Sequence, residues 1–357
     1  MGDASMLYKK LQQKLGVNEA AVDYIVIKDG STGTSKYHAL VTKFRGEKTV
    51  VVPLADDYKV QSILGVKADS PNSYANNAEK SFMLYQLIWE PLEEQLKGIN
   101  FVNVSSAGDL EQVAFGALQD RGEKTLADKY DLHFYSSMRD YINQGPKRTG
   151  NKTVAFFGGA EFGANGDIAY MPSTKDEVNT FQTICAAKGW TVDSNVGTEA
   201  TETKAKMKEG ESAPAILHLA TPVYLNDDAA KVGMALNNAN TAITSGSVST
   251  FADDGMLTGK EVAAMDLKKT NLVILSATET GSNGIGAIHQ AFKAAGVDAV
   301  LFSQWKTPDK QTQELLTLFY IYHLTGMSPQ KALTTARKEI KALYPSPYYW
   351  AGFMIME

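Results

Sequence analysis

The sequence predicts an α/β fold: a mostly parallel sheet flanked by helices, preceded by a smaller α+β region. Three observations carry that prediction. In the second half, near-continuous apolar runs alternate with amphipathic segments, as parallel strands do when helices cover both faces. In the first part, three β-rich runs are separated by short turn signals, as in an antiparallel sheet. Between them lies NQGPKRTGNK at 143–152, polar and rich in turn formers. The expected organisation is therefore residues 1–147 as a helix, a small antiparallel sheet and a helical region, and 148–357 as the main core.

MGDASMLYKKLQQKLG reads as a polar amphipathic helix, and strands follow at 23–30, 36–44 and 48–56, set apart by GSTGTS and RGE. Residues 78–97 place Leu84, Leu87, Ile88, Leu92 and Leu96 close to a 3.6-residue period. Pro91 sits inside that run, so a kink or a new helix is expected there, with a stop at Gly98. A strand and a turn follow at 99–110. In the second half the strands are 153–159, 213–225, 271–281 and 299–305, and the helices 174–189, 284–296, 310–326 and 328–344.

Composition narrows the function. The chain has 357 residues, 44% of them hydrophobic, which suffices for a normal core. Its 35 basic and 40 acidic residues leave a charge of −5, so no basic footprint for nucleic acid or an anionic membrane stands out. No apolar run reaches the length of a membrane span and the start lacks a signal-peptide pattern, so a soluble, cytoplasmic protein is expected. One cysteine, Cys185, excludes an internal disulfide framework and a cysteine zinc site. The five histidines show no HExxH spacing, and neither a metal nor a cofactor is expected.

Two glycine loops invite a phosphate reading. GGAEFG (158–163) fails the G-x-G-x-x-G fingerprint and reads as a plain loop. GSNGIG (281–286) follows a strand and opens a helix but lacks a Walker lysine, so it reads as a sharp turn or a ligand-facing loop. The Asp227–Asp228 and Asp253–Asp254 pairs read as solvated loops. Cys185, between Phe181 and Trp190 on a helical run, reads as a small buried hydrophobe.

The order of segments resembles the CHAT domain, a caspase-like cysteine peptidase fold. The resemblance rests on ILHLAT (216–221), DDGMLTGKEVAAMDLKKTNLVILSATETG (253–281), 284–337 and YYWAGFMIME (348–357). Upstream, EAAVDYIVIKDG and LYQLIWEPLEEQLKGINFVNVSSAGDLEQVAFGALQD are similar to the region before the core. It implies a caspase-like mostly parallel sheet in residues 148–357 and a cysteine–histidine dyad at the strand ends.

At the two dyad positions the chain departs from the family. The family's His-Gly pair is replaced by Pro222 and Val223, and its cysteine after Ser-Ala by Thr278. Proline carries no base, and a threonine hydroxyl is a poor nucleophile without one. His218, four residues before Pro222, reads as a core hydrogen-bonding residue. Around the two positions, His218, Thr221, Glu279, Gly281, Gly284 and Trp305 are the candidate binding residues; Trp305, like Trp350 and Phe353, also reads as core. The expectation is an inactive pseudopeptidase that binds a peptide or protein, with a related caspase-like peptidase as the partner the resemblance implies. The alternative is an active peptidase with a non-standard or partner-completed site.

Overall fold

Apolar strands, capped helices and the breaks imposed by proline and glycine set the architecture. The computed structural model describes residues 2–44, 48–65, 73–145, 151–163, 166–206, 213–226, 228–276 and 285–357. They divide into two units, Met1–Gly145 with Tyr344–Glu357, and Pro146–Leu343.

In chain order the first unit holds α1 (Gly2–Lys14), β1 (Glu19–Lys28), β2 (Ser35–Lys43), β3 (Val50–Asp56), α2 (Asp57–Leu64), α3 (Ala78–Ile88), β4 (Phe101–Ser105), α4 (Leu126–Lys129), β5 (Asp131–Phe134) and α5 (Met138–Asn143). The second holds β6 (Thr153–Gly158), α6 (Pro172–Ala187), β7 (Thr191–Val196), α7 (Glu202–Ala205), β8 (Ile216–Ala220), β9 (Val223–Tyr224) and β10 (Gly233–Ala235). It continues with α8 (Ala239–Ser245), β11 (Met256–Thr258), α9 (Gly259–Ala264), β12 (Leu272–Leu275), α10 (Ile285–Ala294), β13 (Ala299–Ser303), α11 (Asp309–Leu324) and α12 (Pro329–Leu343). The last strand, β14 (Phe353–Met356), belongs again to the first unit.

In the first unit the strands run β3-β2-β1-β4-β5-β14. β1–β2 and β2–β3 pair antiparallel, whereas β1–β4, β4–β5 and β5–β14 pair parallel. The buried Tyr24 packs on Phe115 at 5.4 Å and donates its hydroxyl to the Ile88 carbonyl. α3 begins at Asn77, whose side chain accepts the Lys80 N–H. It ends at Ile88 and gives way to a 3₁₀ turn, Glu90–Leu92. Pro91 explains the stop, because it cannot donate to the helix ladder and its ring crowds the preceding turn.

In the second unit β13-β12-β8-β6-β7 form a wholly parallel sheet. Every residue of β8, β12 and β13 is buried, which is why their sequences are unbroken apolar runs rather than alternating ones. At the end of β6 a Cβ on Gly158 would lie 2.7 Å from the Thr174 carbonyl oxygen, and Gly159 has φ +56° while donating its N–H to Thr174 Oγ1. The glycine pair of GGAEFG thus lets the strand meet the start of α6.

The expected strand 213–225 is two elements. β8 ends at Ala220, and β9 belongs to a separate antiparallel sheet in the order β11-β10-β9. Pro222 makes the break, since it has no N–H for a parallel ladder. Its carbonyl instead accepts the Ala235 N–H at 3.0 Å.

One polar group of the first unit gives a prediction. His133 lies 3.6 Å from Asp131 and 3.8 Å from Glu357. Burial pulls its pKa down, but the two carboxylates win and raise it above 6.5. A raised folded-state value contributes stability that is complete below 6.5 and lost as pH rises through the folded value. Thermal midpoints measured against pH should therefore fall through that window in the parent chain and show less of that fall in His133→Gln.

Candidate active site

The strand order β13-β12-β8 brings three carboxyl ends side by side, the edge at which open parallel sheets receive ligands. β8 delivers Thr221 and Pro222, β12 delivers Ser276, and β13 leads to Trp305. Thr278, Glu279, Gly281 and Gly284 follow Ser276 in sequence and lie outside the described residues. Thr221 is buried and donates its hydroxyl to the Ala235 carbonyl. Trp305 is only 2% exposed, and its carbonyl accepts the Ser303 hydroxyl at 2.6 Å. Its ring is therefore set in the core beneath the edge rather than on its surface.

His218 organises this region. It pairs with Phe156 of β6 and Ile274 of β12 and is completely buried. Phe156 and Phe181 lie against its ring at 5.4 and 5.6 Å. Nδ1 is 2.7 Å from the Tyr320 hydroxyl, and Nε2 is 2.8 Å from Glu177 Oε1 and 3.1 Å from Ser276 Oγ. Burial pushes the Tyr320 phenol well above its ordinary range, so it keeps its proton and donates it to Nδ1. A carboxylate can only accept, which places the imidazole proton on Nε2, toward Glu177.

That tautomer determines what the cluster can do. A serine hydrolase places nucleophile and carboxylate on opposite nitrogens of the imidazole, so that one accepts while the other donates. Here Glu177 and Ser276 share Nε2, and the second nitrogen is occupied by Tyr320. The imidazole has no lone pair directed at Ser276. It ties strands to helices rather than activating a nucleophile.

Cys185 lies on α6, fully buried, and burial pushes its thiol up to about 12. A thiol held that high carries almost no thiolate at neutral pH. Another histidine, His289, is buried on α10 and stacks on Phe302 at 5.2 Å.

A second cluster, not apparent from sequence, holds the segment downstream of Pro222. The Lys206 ammonium lies 2.6 Å from Glu202, 2.8 Å from Asp253 and 2.9 Å from Glu261. The other oxygen of Glu202 accepts the N–H groups of Asp254 and Gly255, and that of Glu261 caps Thr258. Asp254 in turn accepts from the N–H groups of Ser249 and Met256. The Asp253–Asp254 pair lies in a loop, as expected, with Asp253 exposed, and both carboxylates also hold neighbouring groups of the fold. Through β11 and β10 the same cluster supports β9, the strand that begins after Pro222. Among the described residues no group of three or more His, Cys, Asp or Glu side chains is placed to hold a metal ion. No described helix is long and apolar enough to cross a membrane.

A parallel sheet with its site at adjacent strand ends, together with these helices, defines a caspase-like α/β domain. The CHAT domain model matches residues 79–357, and the chain belongs to that family. A segment of 107 residues, 28% of this chain and 4% of the relative, is 32% identical to tetratricopeptide repeat protein 28 of Homo sapiens. The Mus musculus counterpart is 29% identical over 100 residues, 26% of this chain and 4% of its own length. The matched part is therefore a small fraction of these curated relatives. Among solved structures, the Saccharomyces cerevisiae separase–securin complex aligns with 99% of this chain and 30% of its own at TM-score 0.53 and 12% identity. The Arg-specific cysteine proteinase gingipain R aligns with 99% of this chain and 74% of its own at TM-score 0.48 and 8% identity. At 12% identity the likeness to separase is one of fold.

Two predictions follow from the clusters. His218→Leu leaves the Glu177 carboxylate buried without its donor and should cost about 3–5 kcal/mol in denaturant unfolding. Glu177→Leu combined with His218→Leu should recover much of that loss, and a strictly additive cycle would refute the pairing. At the other cluster, burial above all, aided by Glu261 and opposed by Lys206, pushes Glu202 up from 4.5 to about 7. The folded chain then binds a proton between those values that the unfolded chain does not, so its stability declines as pH rises from 4.5 to 7. Glu202→Gln should flatten that decline in pH-dependent melting curves.

Proposed function

We propose that this chain is a catalytically inactive CHAT pseudopeptidase that works as a peptide- or protein-binding regulatory or scaffold subunit beside an active caspase-like partner. The single observation that carries this reading is the state of Cys185. The chain's one cysteine is fully buried on α6 with its thiol pushed up to about 12. Cysteine-nucleophile chemistry needs an accessible thiolate beside a base.

The rest of the site supports the same reading. Pro222 stands where the family keeps its histidine, and it offers no proton acceptor on its side chain. His218, the histidine nearest in sequence, has both ring nitrogens engaged. Thr278 in the cysteine position would need a strong neighbouring base. A fold without its dyad still offers a crevice at the strand ends, and sites are properties of residues rather than of folds. Separase, which shares the fold, was solved in complex with securin, and that precedent supports protein binding by this architecture.

The purified chain, incubated with a broad peptide library, should give no cleavage above a heat-denatured control. Robust cleavage abolished by Thr278→Ala would overturn the proposal. Co-expression with an active caspase-like protein should yield a stable complex on size exclusion. The triple variant Pro222→His, Val223→Gly, Thr278→Cys should acquire cleavage. A folded but inert triple variant would mean that the crevice has lost more than its dyad.

A further inference from the structure

β7 is the outer strand of the parallel sheet in the second unit, and among the described residues only β6 pairs with it. The Thr191 N–H donates to the Lys152 carbonyl at 2.8 Å, so Thr191 turns its backbone groups toward β6. Alternation turns those of Asp193 and Asn195 the same way and those of Val192, Ser194 and Val196 outward. A row of outward N–H and C=O groups on a regular strand is a template for another strand.

Globular folds ordinarily blunt such an edge. The outer strand of the first unit, β3, does so with Pro53 and with a register break between Lys36 and His38 of β2. β7, with the sequence TVDSNV, has neither proline nor lysine, and its register with β6 runs unbroken from Thr191 to Val196. Thr191, Asp193 and Ser194 are exposed. Asp193, the one charged residue of the strand, has no hydrogen-bond or ion-pair partner among the described residues. Asn195 is 1% exposed, and its amide Nδ2 is buried without a hydrogen-bond partner.

The order of these residues selects the occupant. A two-fold axis normal to the sheet keeps every side chain on its own face, so two copies of β7 can pair antiparallel only in alternate registers. Centred on Ser194, the pairing sets Val192 against Val196, Ser194 against Ser194 and Asp193 against Asn195. Backbone and side chains agree in this register. Val192, Ser194 and Val196, whose backbone groups point outward, fall at the hydrogen-bonded positions of an antiparallel ladder. Asp193 and Asn195 fall at the other positions, where side chains come closest. There the unpaired carboxylate of one copy meets the amide that lacks an acceptor in the other. Centring on Asp193 would set two carboxylates face to face, and centring on Asn195 would leave Asp193 opposite Gly197.

We propose that β7 pairs with β7 of a second copy of this chain across a two-fold axis at Ser194, so that the two parallel sheets continue into one another. The pairing does not rest on whether the strand-end crevice is catalytic.

The full chain should sediment as a dimer at micromolar concentration. Ser194→Pro removes one outward N–H from each copy and should weaken the dimer about tenfold or more. Asn195→Asp sets carboxylate against carboxylate twice and should dissolve the dimer, whereas Asp193→Asn combined with Asn195→Asp exchanges the partners and should restore it. Cross-linking keeps the test decisive should the Asn195 variants fold poorly. Cys185 is buried, so Ser194→Cys supplies an exposed thiol that the parent chain lacks. Opposite Cα atoms of a hydrogen-bonded pair lie about 5.5 Å apart, and a short bis-maleimide should join two copies of Ser194→Cys. In Thr191→Cys the two thiols stand about 20 Å apart along the ladder and should stay unjoined. A monomer at every concentration up to about 100 μM, a dimer indifferent to Ser194→Pro, or equal cross-linking of the two cysteine variants would overturn the proposal.

Discussion

One buried imidazole ties the sheet of the second unit to two of its helices. His218 sits on β8, accepts from Tyr320 on α11, donates to Glu177 on α6 and touches Ser276 at the end of β12. Parallel strands alone set little of their own register when every side chain on them is apolar, because a slipped apolar strand is still apolar. A polar group with fixed partners removes that freedom. Sliding β8 by one residue would turn His218 to the opposite face and leave a carboxylate and a phenol stranded in the core. The penalty for unpaired buried polar groups, more than any net attraction, is what makes the alignment of β8 with β12 unique.

The same restraint sets the strand ends. With β8 and β12 locked in register, the carboxyl ends of the two strands, at Ala220 and Leu275, lie side by side. The Lys206 cluster then holds the returning loop from the other direction, by backbone N–H groups at Asp254 and Gly255 and by ion pairs to Asp253 and Glu261. The two polar clusters are of opposite character. One is wrapped in aromatic rings, and the other is partly open and carries more acidic groups than basic ones.

Much of this was legible in the sequence where the signal is local. ILHLA and LVIL are apolar enough to announce buried strands, and the glycine and proline punctuation placed most helix ends. The role of His218 as a satisfied core residue could also be read from its place on an apolar strand. Its partners could not be read, because Glu177 lies 41 residues away and Tyr320 lies 102. Lys206 gathers carboxylates from three separate segments, and each segment alone looks like a solvated polar run. The return of β14 to β5 has no local signature either, since an apolar strand does not encode which neighbour it joins. Within 213–225 the proline carried the break, but the apolar residues on both sides masked it.

Proline at position 222 separates architecture from chemistry. Its side chain supplies no base, yet its carbonyl still accepts the Ala235 N–H, and the neighbouring Thr221 hydroxyl still donates to the Ala235 carbonyl. The transition from the parallel sheet to β9–β10–β11 is thus held by the backbone and by Thr221, not by the side chain at 222. The core pin at His218 likewise draws on Glu177, Tyr320 and Ser276, none of which stands at a dyad position. The groups that hold these strand ends and the groups that a dyad would need are therefore different atoms. A chain can exchange the second set while every hydrogen bond of the first is kept.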